Sequence, residues 1–152
     1  MDLPPLRDPA IVLRARAEGW REAVSLAGAA LERAGCTGPG YTRRMIDVVE
    51  EFGAYIVIAP GLALAHARPG PDVLADGLSV VTLEGPVEFG HPHNDPVRVV
   101  VGLALRTPDS HVTGVAALAN VFNDPGAVER LVRAATKDDV RAVMTVGPEA
   151  SS

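Results

Sequence analysis

The sequence contains one cysteine, Cys36, few aromatic side chains (4%) and no surplus of basic residues. A lone thiol forms no intramolecular disulfide, which agrees with a reducing cytoplasm as the place of work. Net charge is −5 with histidine neutral, so the basic stripe of a nucleic-acid binder is missing and no nucleic acid is expected as a partner. No continuous apolar run is long enough for a membrane helix. The opening MDLPPLRDPA lacks a basic start followed by an apolar stretch, so no signal peptide is expected. What is plentiful is Ala, Val and Leu: 47% of 152 residues are apolar. That is enough for one domain with a substantial core packed by small aliphatic side chains. No internal repeat or interdomain linker interrupts it, and the domain core is expected over about residues 20–145.

Local pattern divides the chain into helices and strands. Asp8-Pro9 suits a first short helical turn. Trp20, Ala23, Val24, Ala27, Ala30 and Leu31 recur at three and four, predicting a helix over Trp20 to Ala34 that Gly35 stops. Tyr41, Met45, Val48, Val49 and Phe52 predict a second, over about Thr42 to Phe52, ended by Gly53. Gly77 to Leu83 reads as a strand, with Gly85-Pro86 turning the chain and Val87 to Phe89 as a short edge segment. Val97 to Leu105 is almost wholly apolar, the mark of a strand covered on both faces, and Gly102 within it allows close packing. Asp109-Ser110-His111 opens a third helix, with Asp109 or Ser110 as N-cap and Val115, Leu118, Ala119 and Phe122 facing inward. Asp124-Pro125-Gly126 begins a fourth. Thr136 and Asp139 form a capping box for a last short helix carrying Val140, Val143 and Met144. Residues 146–152 read as a tail. Strands separated by helices, with some hairpin-length links, predict an α/β sandwich: a mixed, mostly parallel sheet flanked by helices.

The most informative stretch is YIVIAPGLALAHARPG, from Tyr55 to Gly70. A β-forming run to Ala59 is broken by Pro60-Gly61. A second run, Leu62 to Ala65, delivers His66 beside Arg68. On its chemistry alone His66 reads as a hydrogen-bonded residue at a strand end or as a nucleophile, since a neutral imidazole serves both roles.

This segment resembles the active-site region of enzyme IIA of the bacterial phosphoenolpyruvate-dependent sugar phosphotransferase system. The likeness is to the mannitol/fructose superfamily, and His-Ala-Arg-Pro is most similar to its ascorbate-type branch. NDPV before the Val97 run and SHV at the third helix continue the likeness, which spans about Trp20 to Met144. It implies an opening strand at Ile11-Val12-Leu13. It implies that His66 takes a phosphoryl group from phospho-HPr and passes it to a cysteine of enzyme IIB, while enzyme IIC moves ascorbate or a related sugar through the membrane. His111 matches a second active-site histidine that would orient the phosphoryl group, and Arg68 would offset its charge. The other ring nitrogen of His66 would be held by a backbone carbonyl. Such transfer between nucleophiles needs no cofactor and no metal.

Two departures stand out. Ala65 takes the place of a usual proline before the histidine. At the distance where mannitol-type relatives carry a supporting arginine, this chain has Glu50, with Arg43 and Arg44 at the helix start instead. The acidic pair Glu50-Glu51 reads as solvated surface. Cys36 follows a helix and its glycine stop, whereas the similar cysteine loop of enzyme IIB follows a strand, so Cys36 reads as an inert small hydrophobe. His91 and His93 stand in a His-x-His pattern but lack further ligands and read as a solvated turn. A phosphorylatable regulatory module of the same fold, or a binding domain with structural histidines, would present the same residue pattern.

Overall fold

The computed structural model describes residues 3–146. Most of the expected tail, 147–152, lies outside the described residues. Five strands form one sheet: β1 (Ile11–Ala15), β2 (Val57–Ala59), β3 (Leu62–His66), β4 (Gly77–Val87) and β5 (Val97–Ala104), in the order β1-β4-β5-β3-β2. Five α-helices accompany it: α1 (Trp20–Arg33), α2 (Gly40–Phe52), α3 (Pro108–Phe122), α4 (Ala127–Arg133) and α5 (Lys137–Met144). The chain is an α/β domain with a mixed sheet, as expected, but the parallel majority is not there. β1·β4 and β3·β5 are parallel, whereas β4·β5 and β2·β3 are antiparallel. The reason is β4, which enters between β1 and β5 and runs against β5 without a crossover helix.

The periodicity of α1 holds, and α2 buries Tyr41, Met45 and Val49 of its expected face but leaves Phe52 exposed. Ala23, Val24, Ala27, Ala30 and Leu31 of α1 are buried, and Trp20 sits half-exposed at its start. Residues of β5 alternate between the two faces of the sheet. Gly102 points toward α1, where an added Cβ would lie 3.4 Å from Ala27 and 2.3 Å from Ser79 Oγ. Leu103 and Leu105 point the other way, beneath Gly114 of α3. Seven of the eight residues of β5 are therefore buried, and the core is continuous from Leu6, Ala10 and Ile11 to Met144. Gly102→Ala should lower stability by about 1–3 kcal/mol, because the new methyl collides with a hydroxyl already bonded to the Ala27 carbonyl. A shifted denaturant midpoint at unchanged m-value would register it.

Four local expectations are corrected. Gly85-Pro86 does not turn the chain: β4 runs on to Val87, with a shift of register between Thr82 and Val87 that absorbs the exposed Glu84-Gly85-Pro86 segment. The segment Ala54–Ile56 is a 3-10 turn, so β2 is shorter than the apolar run. The N-cap of α3 is Thr107, not Asp109 or Ser110. Its hydroxyl accepts from the Ser110 N–H, and the Ser110 hydroxyl accepts from the Thr107 N–H in return. Serine thus fills the place that a glutamate takes in the usual capping box. Ala119 is exposed, and α3 buries Gly114 and Leu118 instead. The Thr136–Asp139 capping box of α5 is present as expected.

Candidate functional site

Topology brings the two histidines together. β3 and β5 are parallel neighbours, with His66 in register with Leu103. Their C-terminal ends therefore share one edge of the sheet. β5 leads through Arg106 and Thr107 into α3, whose first turn carries His111. The His66 and His111 rings come to lie 5.3 Å apart, tilted by 44°. The Tyr55 ring meets His66 edge-on at 6.4 Å, and Phe52 meets Tyr55 at 6.0 Å.

His66 Nδ1 lies 2.9 Å from the Leu64 carbonyl oxygen. A carbonyl only accepts, so this bond places a proton on Nδ1, and in the neutral ring the Nε2 lone pair is then the free nucleophile. Ala65, which stands in place of the expected proline, is buried in β3 and paired with Gly102 of β5. The strand before His66 is thus held by the sheet.

His66 and His111 line an open recess of about 590 Å³ with Val48, Phe52, Tyr55, Ala67 and Arg68. A second recess shares Arg68 and His111 with it and adds Pro69, Gly70, Arg106, Pro108 and Val112. Phe52, Tyr55 and Val112 are exposed around this edge, at 58%, 52% and 68%. The recess is therefore apolar at its rim and cationic on one wall. Burial, and secondarily the neighbouring His66, push the His111 pKa below the ordinary histidine value, so its ring stays neutral and able to donate one hydrogen bond near pH 7. The arrangement suits an anion attacked or released at His66 Nε2, with a donor and guanidinium groups beside it.

Arg68 lines the recess with His66 and His111. Arg44 does not serve as a free cation. Its guanidinium makes a paired contact with Asp72, Nη2 to Oδ1 at 2.6 Å and Nε to Oδ2 at 2.8 Å, which holds the Asp72 carboxyl below its ordinary pKa. Glu50 is not merely solvated: it takes Arg21 of α1 at 3.1 Å and lies 3.9 Å from Arg43. Glu50 thus ties α2 to α1. Cys36 is buried and its thiol pKa is raised, chiefly by that burial, which leaves it inert. His91 Nδ1 accepts the N–H groups of His93 and Asn94, fixing that loop.

Three side chains escaped the sequence reading. Arg106 lines the adjoining recess with Arg68 and His111, a placement that depends on the loop after β5. Asp72 lacks any local motif. Tyr41 reads as one more apolar position on α2, yet its hydroxyl donates to the Leu103 carbonyl at 2.7 Å and accepts the Ala67 N–H at 3.0 Å. The only sequence signal was a polar tip on a residue predicted to be buried.

Known proteins share the sequence and fold of this chain. The chain is 40% identical over 131 residues to the ascorbate-specific PTS system EIIA component of Escherichia coli (strain K12), an overlap of 86% of this chain and 85% of that protein. The mannitol-specific cryptic phosphotransferase enzyme IIA CmtB of Escherichia coli superposes with a TM-score of 0.80 at 26% identity, covering 92% of this chain and 95% of that one. The complex of enzyme IIAMTL and phosphorylated enzyme IIBMTL from Escherichia coli gives a TM-score of 0.80 at 25% identity, covering 92% and 98%. The family model of the phosphoenolpyruvate-dependent sugar phosphotransferase system, EIIA 2, matches residues 5–146, from before β1 to the end of α5. The chain is a member of that EIIA family.

Proposed function

We propose that this chain is the phosphoryl carrier of an ascorbate-type phosphotransferase system, working in the cytoplasm. His66 Nε2 takes the phosphoryl group from phospho-HPr. A cysteine thiolate of enzyme IIB then takes it from His66, and a membrane enzyme IIC uses it in uptake of ascorbate or a related sugar. The observation that carries this reading is the Nδ1 contact to the Leu64 carbonyl, which makes Nε2 the lone-pair nitrogen of the neutral ring, in a recess walled by His111 and Arg68. In each step the attacking lone pair forms a bond to phosphorus as the bond to the leaving nitrogen breaks. The protein contributes position and charge compensation. His111 orients the group and Arg68 offsets its charge. The relative named for ascorbate supplies the substrate class, and the mannitol IIA–IIB complex supplies the acceptor.

Incubation with phosphoenolpyruvate, enzyme I and HPr should add one phosphoryl group, labile to acid and stable to base. Phosphorus NMR should place it on Nε2. An unchanged mass with an HPr that phosphorylates other IIA proteins would rule this function out.

A further inference from the structure

Tyr41 is fully buried although it carries a hydroxyl, and that hydroxyl is spent on the backbone around His66. β3 pairs with β5 up to His66↔Leu103 and no further. Ala67, the next residue, is 4% exposed and has no ladder partner for its N–H. The Tyr41 oxygen accepts that N–H at 3.0 Å, and its single proton has two carbonyls in reach, Leu103 at 2.7 Å and Ala67 at 3.2 Å, of which Leu103 is the nearer. One side chain of α2 therefore bridges the residue after His66 and the residue in register with it. Arg44, one helical turn on, lies 5.2 Å over the Tyr41 ring and grips Asp72 beyond the loop. Both ends of the 67–72 loop are thus tied to the same helix.

We propose that Tyr41 is a positioning residue for His66. By continuing the β3–β5 ladder one step past its last pair, it holds the strand end in the geometry where Nδ1 reaches the Leu64 carbonyl and Nε2 faces the recess. Without the hydroxyl, the buried Ala67 N–H and Leu103 carbonyl lose a partner, and the chain must shift to recover one. A shift at Ala67 moves the His66 backbone, and the i to i−2 contact of its ring tolerates little displacement. Burial pushes the Tyr41 pKa up to about 12, so the phenol stays protonated and can donate throughout the working range. The rate consequence rests on the phosphotransfer reading above; the tautomer consequence does not.

The test is Tyr41→Phe, which keeps the ring and removes the oxygen. Two-bond nitrogen–proton correlation spectra of the unphosphorylated protein report the His66 tautomer. Wild type should show a single Nδ1–H form, and Tyr41→Phe a mixture of both forms. At saturating phospho-HPr, the turnover rate of the variant should fall about tenfold with KM for the donor unchanged, the signature of a misplaced nucleophile. Val24→Ala, a core truncation in α1, should keep both the wild-type tautomer and the wild-type rate. A folded Tyr41→Phe protein that retains the single tautomer overturns the proposal, whatever its rate. Should that variant fail to fold, amide exchange in wild type decides: the Ala67 N–H should exchange at least roughly 10³-fold slower than an open chain, and free exchange there overturns the proposal. A wild type that takes no phosphoryl group sinks the carrier function alone, since the tautomer spectra still decide the role of Tyr41.

Discussion

His66→Ala should abolish phosphoryl uptake while the protein stays folded. Removing the nucleophile should cost roughly 10⁴-fold or more. His111 is the nearest rival, 5.3 Å away between ring centres, and the variant asks whether it can substitute. The fold should survive because the ring is only half-buried and makes one hydrogen bond, to the Leu64 carbonyl. Losing that bond costs about 1 kcal/mol, within the range of ordinary substitutions. Intact-mass spectrometry after incubation with phosphoenolpyruvate, enzyme I and HPr is the measurement, with circular dichroism as the check on folding. Stoichiometric phosphorylation of the variant would move the acceptor to another side chain and sink the assignment of His66.

His111→Ala should leave a protein that can still be phosphorylated but slow each transfer by about 10², the usual effect of removing one oriented donor from a developing charge. The side chain sits in the first turn of α3, whose N-terminal amides already favour an anion. A neutral imidazole adds a directed N–H without bringing a competing positive charge. Stability at neutral pH should hardly change, because the Thr107–Ser110 capping box stays in place and the His111 side chain is only half-buried. Its acid dependence should change. The folded-state pKa lies below the ordinary value, so the unfolded chain binds the proton more readily. His111 therefore contributes stability that is complete above the ordinary histidine pKa and is lost as pH falls through that value toward the folded one. His111→Ala should flatten this part of the stability curve, read as urea midpoints between about pH 7 and pH 5. Stopped-flow transfer from phospho-HPr and onto enzyme IIB gives the rates, and wild-type values in both steps would make His111 a bystander.

The sequence alone determined the elements whose signal is local. Apolar residues at three and four placed α1 and α2, an almost wholly apolar run placed β5, and Thr136 with Asp139 placed the start of α5. The likeness in sequence named His66, Arg68 and His111 as candidates, because it carries positions without needing their distances, and the fold sets them around one recess. Tertiary structure alone decided whatever depends on two segments far apart in the chain. The direction of β4 against β5 has no local sign, and an extended Gly85-Pro86 looks like a turn until its neighbours in the sheet are known. Thr107 could not be told from Asp109 or Ser110 as cap before the end of β5 was placed. The charge on Arg44 is spent on Asp72, 28 residues away, and the Tyr41 hydroxyl reaches Ala67 and Leu103, 26 and 62 residues away. Periodicity reports which face of an element is buried, but the partner of a buried polar atom is set by the packing of that face against the rest of the molecule.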